Sequence, residues 1–334
     1  YILYGPLLTG ATSILFEGVP TFPNPGRFWD IVDKFGVNQF YTAPTAIRAL
    51  AKESLAYVEK YELSSLKVIG SVGEPINEEA WQWYHKNIGK GNCPVVDTWW
   101  QTETGGILIS PIPHVSPQIP TYATTPLPGI QPILMDDSGA EIKESEGEGR
   151  LCIKYPWPSI ARTIWGDHKR YKETYFSAYP GYYFTGDGAR RNKDGMYRIT
   201  GRVDDVIIVS GHNLGTAPIE DAINEHDEIA ESAIVGFPHD IKGNALYGFV
   251  TTKTEAKDEE QLKKDINALI SAKIGPIAKL DKIQFTSGLP KTRSGKIMRR
   301  ILRKIAEGNL SDFGDISTLL NPEVVEQIKD GREK

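Results

Sequence analysis

The chain has little cysteine, no long hydrophobic run and no excess of positive charge. Only Cys93 and Cys152 occur among 334 residues, so a disulfide framework is not expected and a reducing compartment, the cytoplasm, is favoured. No stretch approaches the roughly 18 apolar residues that a membrane-spanning helix needs. The formal net charge of -5 gives no general attraction to nucleic acid or to an anionic membrane. These absences favour a protein that acts on small molecules.

Several catalytic motifs are absent as well. The chain has no G-x-S-x-G elbow, no H-E-x-x-H motif and no strand-associated G-x-G-x-x-G, and its six histidines lack metal-ligand spacing. Gly295 and Lys296 look like the end of a P-loop. However, Pro290 and Ile297 occupy positions at which that motif needs glycine and a hydroxyl residue. Serine hydrolases, zinc proteases and P-loop ATPases are therefore disfavoured.

The beginning of the sequence is also unusual. The chain starts at Tyr1 rather than at methionine, inside an apolar stretch that no basic residue precedes. This start does not resemble a signal peptide. We interpret the sequence as a piece of a longer protein, so a targeting segment upstream of Tyr1 stays open.

The residue pattern predicts an α/β protein with three units and a tail. Over residues 1–116, apolar strands alternate with helices, as in a parallel sheet with crossover helices. Over 117–203, short strands separated by turns predict antiparallel strands or a small β-rich barrel. Residues 204–310 predict a compact α+β unit, and 311–334 form a polar tail that we expect to pack loosely.

Local signals place several helix ends. Thr45 and Asn77 are each expected to cap the helix that follows them. Ser294 is expected to cap a last helix, over residues 294–306, because its apolar positions form one stripe. Lys296 would then lie at the junction of loop and helix.

Three clusters carry residue types that chemistry needs. WWQTETGG (99–106) follows a strand and offers a carboxylate with neighbouring hydroxyls, which suits Mg²⁺ held against phosphate. YYFTGDGA (182–189) places Asp187 in a glycine-flanked turn, where a carboxylate could bind the vicinal diol of ribose. PKTRSGKIMRRILRK (290–304) contains Lys296, whose ammonium can approach a developing negative charge. At about 4 Å and an effective dielectric near 20, that interaction is worth about 4 kcal/mol.

Taken singly, each cluster also has an ordinary structural explanation. The first is equally consistent with a tryptophan pair in the core, the second with a hairpin turn and the third with a solvated basic helix. The order of the motifs is more specific than any one of them. GEP, DTWWQTETGG, YFTGDGA, ITGRVDD, SGHNLGTA and PKTRSGKIMRR together resemble the AMP-forming acetyl-CoA synthetases of the adenylate-forming superfamily.

The resemblance extends over essentially the whole chain and implies the C-terminal portion of such an enzyme, with a mobile C-terminal domain. Family members form acetyl-AMP and pyrophosphate from acetate and ATP, with Mg²⁺, and then pass the acetyl group to CoA. Lys296 matches the catalytic lysine, which faces the acyl-AMP site during adenylation. It also matches the lysine that a lysine acetyltransferase and a deacetylase modify, and acetylation would remove its charge.

The same resemblance implies the other site residues. The nucleotide site would comprise Gly73, Glu74, Pro75, Asp97, Thr98, Trp99, Trp100, Gln101, Thr102, Asp187, Arg202 and Asn213. The acyl pocket, sized for two or three carbons, would be lined by Val72 and Trp100. The CoA contacts would be Thr21, Ser210, Gly211 and Ser271. The metal sites would be Glu103 for Mg²⁺ and a peripheral site at the backbone of Asn224, His226 and Ile229. The hinge about which the small domain rotates between half-reactions would be Asp204.

Some positions depart from the family pattern. Asn213 and Ser271 each stand where the family has an arginine, and Ile208 stands where asparagine is usual. The loop that grips the β- and γ-phosphates in the family does not occur in these residues, so we expect the 334 residues alone to be inactive.

Three interpretations stay open. The first is an acetate–CoA ligase. The second is a ligase for propionate or another short acid, because one methylene changes binding by only about 1–3 kcal/mol. The third is a homologue that binds nucleotide or CoA without turnover.

Overall fold

The computed structural model of the chain describes residues 2–210, 212–254, 258–292, 295–311, 313–314, 316–317 and 319–333; the side chain of Asn213 also lies outside the description. A short helix, α1 (Tyr4–Leu8), comes first. Three separate sheets then follow in chain order, and each has its own core. Within these residues no helix combines the length and the apolar composition that crossing a bilayer requires.

The first unit is built on a parallel sheet. Its neighbouring strands are β1 (Gln39–Thr42), β2 (Val68–Ser71) and β3 (Val95–Asp97). Its helices are α2 (Arg27–Phe35), α3 (Pro44–Ala51), α4 (Ala56–Glu59) and α5 (Glu78–Trp83), the last continued by a π-helical turn at Tyr84–Ile88. Trp29, Ile47, Ile69 and Tyr84 fill the core between them. Because the strands are parallel, the residues that follow β1, β2 and β3 share one edge of the sheet.

Of the two predicted helix caps of this unit, one is wrong and the other is at the expected residue. α3 begins at Pro44, whose fixed φ suits a first helical turn, so the N-cap is Ala43 rather than Thr45. Thr45 lies inside the first turn, and its hydroxyl contacts Glu74 instead. Asn77 is the N-cap of α5 as expected, but its side chain makes no capping hydrogen bond.

The second unit contains an antiparallel sheet. Its neighbouring strands, in order, are β4 (Pro132–Met135), β5 (Gly147–Ile153), β6 (Tyr183–Arg191) and β7 (Tyr197–Arg202), with α6 (His168–Phe176) against β6. The antiparallel prediction is confirmed, but the predicted small barrel is wrong: over the described residues β7 and β4 remain the two edges of an open sheet. Trp99 and Leu108, which follow β3, are buried in the core of this unit. The segment after β3 therefore joins the first unit to the second.

The third unit is the compact α+β unit that the sequence predicts. Its sheet has the order β10 (Ile229–His239), β11 (Gly243–Thr252), β8 (Ile207–Val209) and β9 (His212–Leu214), with β12 (Lys282–Phe285) parallel to β11. Its helices are α7 (Thr216–Asn224), α8 (Glu259–Lys273), α9 (Arg299–Glu307) and α10 (Glu323–Asp330). Side chains alternate along β10, so Ile234 packs towards α7 and α8 while Ala233 and Val235 pack towards α9 and α10.

Two predictions for the end of the chain are wrong. The predicted helix over 294–306 is α9, which begins only at Arg299, so Lys296 lies in the loop before it rather than at the junction of loop and helix. Ser294, the predicted cap, is outside the described residues. The segment after residue 310 is not simply a loose tail, because α10 buries Val325 and Ile328 in the third unit.

Candidate functional site

The carboxyl ends of β2 and β3 hold the first polar group of the site. Asp97 ends β3, and its carboxylate accepts a hydrogen bond of 2.9 Å from Ser71 Oγ. Thr98 Oγ1 donates to the Ser71 carbonyl at 2.9 Å and shares a hydrogen bond of 2.6 Å with the Tyr41 hydroxyl. Burial raises the pKa of Asp97 to about 7, although the Ser71 bond opposes the shift. Asp97 therefore changes its charge near neutral pH.

A second carboxylate, Asp187 on β6, collects donors from two distant motifs. Trp99 Nε1 and Gln101 Nε2 donate to its Oδ2 at 3.1 and 2.9 Å, and Arg202 Nη1 lies 3.4 Å from its Oδ1. Burial raises the pKa of Asp187 to about 6, while Arg202, Trp99 and Gln101 hold it from rising further. Above that pH the group is an ionised acceptor at the meeting point of the 97–102 and 185–187 segments.

Gln101 and Arg202 are themselves held in place. Gln101 Nε2 also donates to the Thr185 carbonyl at 2.6 Å, and its Oε1 accepts from the Tyr183 hydroxyl at 3.0 Å. Arg202 Nη1 donates to the same carbonyl at 3.1 Å, and its Nε lies 3.1 Å from Asp204 Oδ1. Asp204, the expected hinge, is exposed in a 3₁₀ turn at Val203–Asp205.

The turn that carries Glu103 is braced from behind. Trp157 Nε1 and Ser159 Oγ donate to the Thr104 carbonyl at 2.9 and 2.7 Å. Gly105 has a φ of +70°, and a Cβ at that position would lie 2.1 Å from the Ser159 carbonyl oxygen. Only glycine allows both the positive φ and the close approach to Ser159. Gly105 in T-E-T-G-G therefore fixes the position of the turn that carries Glu103.

Glu103 supplies an oxygen ligand of the kind that magnesium prefers. Its carboxylate is half-buried and bonded to the Tyr175 hydroxyl, whose pKa burial and this bond both raise. The described part of the chain holds no cluster of three or more His, Cys, Asp or Glu residues able to bind a metal ion. One carboxylate fits a magnesium ion whose other ligands come from phosphate and water, as is usual for nucleotide sites.

The proposed peripheral metal site lies between α7 and β10. Asn224 Oδ1 accepts a hydrogen bond of 2.9 Å from Ser232 Oγ, so this side chain is occupied. The His226 carbonyl accepts from the Ile229 amide at 2.9 Å and keeps one lone pair. The backbone site stays a prediction.

The loop that carries Lys296 meets the 73–75 turn. Thr45 Oγ1, in the first turn of α3, contacts the Glu74 carboxylate and lies 3.2 Å from the Gly295 carbonyl oxygen. Lys296 is exposed, and its amide donates to Thr292 Oγ1 at 3.1 Å. The Thr45 side chain thus contacts both Glu74 and the backbone of Gly295, the residue before Lys296.

The residues expected to bind the acyl group lie at the same edge. Val72 follows β2, where its amide donates to the Thr42 carbonyl at 3.1 Å, and Trp100 follows β3. Both are half-buried. Gly73 adopts a φ of +105°, which lets the chain turn away after Val72 and leads to the exposed Pro75. Thr102, also exposed, opens the Glu103 turn.

The residues expected to bind CoA lie on separate elements. Thr21 is exposed ahead of α2, Ser210 ends the turn after β8 with a φ of +49°, and Ser271 is half-buried on α8. Gly211 lies outside the described residues, and Asn213 is described only as backbone of β9. Within the described chain no hydrogen bond connects Thr21, Ser210 and Ser271, so this site stays a prediction.

Sequence reasoning missed Arg48, Glu231 and Lys291. Arg48 Nη2 donates to Glu74 Oε1 at 2.7 Å and to Glu231 Oε1 at 3.3 Å, and Lys291 Nζ lies 2.7 Å from Glu231 Oε2. A signal was available, because Arg48 is the only charged residue in α3 and stands beside the core residue Ile47. A cation at such a position needs a buried partner.

A cleft of about 480 Å³ lies where the three units meet, lined by residues such as Asn77, Glu148, Arg198, Asp221 and Lys273. Arg198 and Asp221 form an ion pair across it. The cleft does not include the 72–75 or 97–104 segments, so it is separate from the cluster of motifs.

Comparisons with known proteins give a consistent result. The family model described as AMP-binding enzyme matches residues 1–165, and the model described as AMP-binding enzyme C-terminal domain matches residues 218–296. The acetyl-coenzyme A synthetase of Leptospira biflexa is 58% identical over 335 residues, covering 100% of the chain and 51% of that protein. That of Rhodobacter capsulatus is 60% identical over 333 residues, covering 99% and 51%.

A solved structure shows the same architecture. The anthranilate CoA ligase AuaEII, in complex with anthranoyl-AMP, superposes with a TM-score of 0.78 at 25% identity, covering 89% of this chain and 55% of that one. The chain spans about half the length of the curated relatives it matches.

Proposed function

We propose a function from the premise that this chain belongs to the AMP-binding enzyme family, whose two models match it over residues 1–165 and 218–296. The function is that of an AMP-forming acetate–CoA ligase. One observation carries it: Trp99, Gln101 and Arg202 converge on the buried carboxylate of Asp187, which leaves an acceptor suited to ribose hydroxyls. The names of its relatives, at 58% and 60% identity, support acetate as the acid.

The reaction has two steps. In the first, an acetate oxygen attacks the α-phosphorus of ATP and the bond to pyrophosphate breaks, which gives acetyl-AMP. In the second, the CoA thiol loses its proton and attacks the acetyl carbon, and AMP leaves with the attacking oxygen of the acetate. No redox partner is required in either step.

Each part of the site has a role in this scheme. Asp187 orients the ribose, and the turn at Gly73, Glu74 and Pro75 lines the adenine. Lys296 supplies a positive charge where negative charge builds up during the attack. A magnesium ion at Glu103 would neutralise phosphate charge when bound.

The acyl pocket limits the acid. Val72 and Trp100, half-buried at the edge of the parallel sheet, would leave room for two or three carbons. Propionate is therefore the expected slow alternative, because one methylene changes binding by about 1–3 kcal/mol.

A second candidate, a homologue that binds nucleotide or CoA without turnover, is favoured by Asn213 and Ser271. Each replaces an arginine of the family pattern, so two cations expected near phosphates are missing.

The experiment is acetate-dependent exchange between ATP and pyrophosphate in the full-length protein. We expect exchange with acetate, slower exchange with propionate, and a loss of about 10²–10³-fold in Lys296→Ala, comparable with removing one donor that stabilises a transition state. Lys279→Ala, an exposed lysine on the same unit, is the control and should leave exchange unchanged. Exchange that is absent, or that Lys296→Ala does not alter, would contradict the proposal.

Lys296 is also the proposed site of regulation by a lysine acetyltransferase and a deacetylase. It is exposed on a turn, and acetylation would remove the charge that the first step needs. Cys93 and Cys152 are free and buried, which supports a reducing compartment such as the cytoplasm.

A further inference from the structure

A partly buried group of four charges lies between α3 of the first unit and β10 of the third unit. Arg48 bridges the carboxylates of Glu74 and Glu231 at 2.7 and 3.3 Å, and Lys291 pairs with the second oxygen of Glu231 at 2.7 Å. The side chains of Arg48 and Glu231 are only 12% and 6% exposed. This network is one place where the two units touch.

The network holds its charges although burial opposes them. Burial alone would raise the pKa of Glu231, but Lys291 and Arg48 bring it below the usual range. Burial likewise opposes the charge of Arg48, yet Glu74 and Glu231 raise its pKa. Removing one member therefore leaves a buried charge without its partner, which is more costly than losing a surface pair.

The same network fixes the loop that carries Lys296. Lys291 stands at one side of the base of this loop, where it forms a β-bridge with Ile297. The Thr292 amide donates to the Lys296 carbonyl at 2.9 Å, which ties the two ends of this loop together. Glu231 thus holds the base of the turn through Lys291.

The tip of the loop is held by the same helix. Thr45 Oγ1 lies 3.2 Å from the Gly295 carbonyl oxygen, and Arg48 follows Thr45 by one helical turn. One face of α3 therefore fixes both the tip and the base of the Lys296 loop, and it also holds Glu74. Two attachments on a rigid helix define a position far better than one.

We propose that Arg48 is a positioning residue for Lys296, acting through Glu231 and Lys291 to hold the Lys296 loop against the turn that contains Glu74. The proposal rests on the proposed function, because it assigns Lys296 to the adenylation step. Because Lys296 is assigned to adenylation alone, we expect Arg48 to matter much less for the later attack by CoA. A group held in reacting position can change a rate by about 10²-fold when it is displaced by an ångström.

The test separates the two half-reactions in the full-length protein. Arg48→Met keeps the length of the side chain and removes its charge. We expect acetate-dependent ATP–pyrophosphate exchange to fall by about 10–100-fold, while acetyl transfer from synthetic acetyl-AMP to CoA changes by less than about threefold. The control is Arg27→Met on α2, which removes a half-exposed pair with Asp30 and should change neither reaction. Equal losses in both half-reactions would overturn the proposal.

A double variant adds a second criterion. If Arg48 acts through Lys296, then Arg48→Met combined with Lys296→Ala should exchange no more slowly than Lys296→Ala alone, because the two residues act as a unit. A loss equal to the product of the single losses would mean that Arg48 acts independently. If Arg48→Met does not fold, Glu231→Gln, which keeps the shape of the side chain, takes its place in the same measurements.

Hydrogen exchange provides a readout that does not depend on activity. Amides of Lys291, Thr292 and residues 295–298 should exchange faster in Arg48→Met than in the unmodified protein and in Arg27→Met, while those of β10 keep their protection. Unchanged exchange in this loop would refute the proposal. Absence of acetate-dependent activity in the unmodified protein would instead refute the proposed function, so the two failures are distinguishable.

Discussion

At the scale of the residue, Asp187 shows how a buried carboxylate can remain an acceptor. Burial raises its pKa to about 6, and three donors oppose that shift. The folded pKa lies above the ordinary aspartate value of 3.8, so the folded state binds this proton more tightly than the unfolded chain does. The contribution to stability is therefore present at low pH and is lost as pH rises through about 6. If Asp187 binds ribose as proposed, ligand binding should have the opposite dependence, because the ionised carboxylate is the stronger acceptor.

This gives a prediction for Asp187→Asn. At pH 8 we expect the variant to bind AMP about 10–100-fold more weakly, because hydrogen bonds to a charged acceptor are worth about 1.5–3 kcal/mol. The ratio of the two Kd values should shrink as pH falls through about 6, where Asp187 of the unmodified protein gains its proton. Calorimetry of AMP binding from pH 5 to 8 measures this. Asp97 and the AMP phosphate titrate in both proteins and cancel in the ratio; a ratio independent of pH would contradict the assignment.

The sequence could predict site residues that lie within recognisable motifs, but it could not predict the residues they contact. Asp187 and Lys296 lie in motifs whose order resembles a known family, so both could be proposed as site residues from the sequence alone. Glu231 lies 183 residues from Arg48, and no local pattern connects them. Such pairs are set by how two units pack, whereas sequence patterns report mainly on neighbours along one element.

At the scale of the element, the end of the chain differs most from expectation. The polar pattern of residues 311–334 predicts a loose tail, yet the helix α10 (Glu323–Asp330) inserts three apolar side chains into the third unit. A helix of eight residues has little intrinsic stability in water. Its formation therefore depends on packing against α9 and the core of the third unit, which no local pattern of the sequence reveals.

Ile328→Ala tests whether α10 is part of the core. Ile328 is fully buried, and its truncation should lower the free energy of unfolding by about 2–5 kcal/mol. The control is Leu320→Ala, because Leu320 is 55% exposed and a surface change costs at most about 0.5 kcal/mol. Denaturant unfolding of both variants decides the matter: equal midpoints would mean that α10 is only loosely attached.

Other element boundaries failed for identifiable reasons. α3 starts one residue before Thr45 because Pro44 is itself well suited to a first helical turn. The apolar stripe from Ile297 onwards suggested a longer helix, yet Ile297 pairs with Lys291 in a β-bridge and α9 begins at Arg299. The turns of the second sheet correctly indicated antiparallel strands. Closing it into a barrel would require β4 to pair with β7, and no turn in the sequence indicates whether they pair.

At the scale of the whole molecule, the three units meet around the motifs. The parallel sheet provides Asp97 and the 73–75 turn, the antiparallel sheet provides Asp187 and Arg202, and the third unit provides Lys296. Each unit alone offers one or two weakly informative residues. Together they bring the carboxylates of Asp97, Glu103 and Asp187 and the loop of Lys296 to the region where the three units meet.

We propose above all that the protein activates acetate by joining it to AMP. Acetate labelled with ¹⁸O in both oxygens tests this claim most directly, with the full-length protein, ATP and CoA, and with mass spectrometry of the AMP produced. Because the attacking carboxylate oxygen stays with the phosphate when CoA displaces AMP, we predict one ¹⁸O in each AMP and none in pyrophosphate. AMP without label, or formation of ADP in place of AMP and pyrophosphate, would contradict the account.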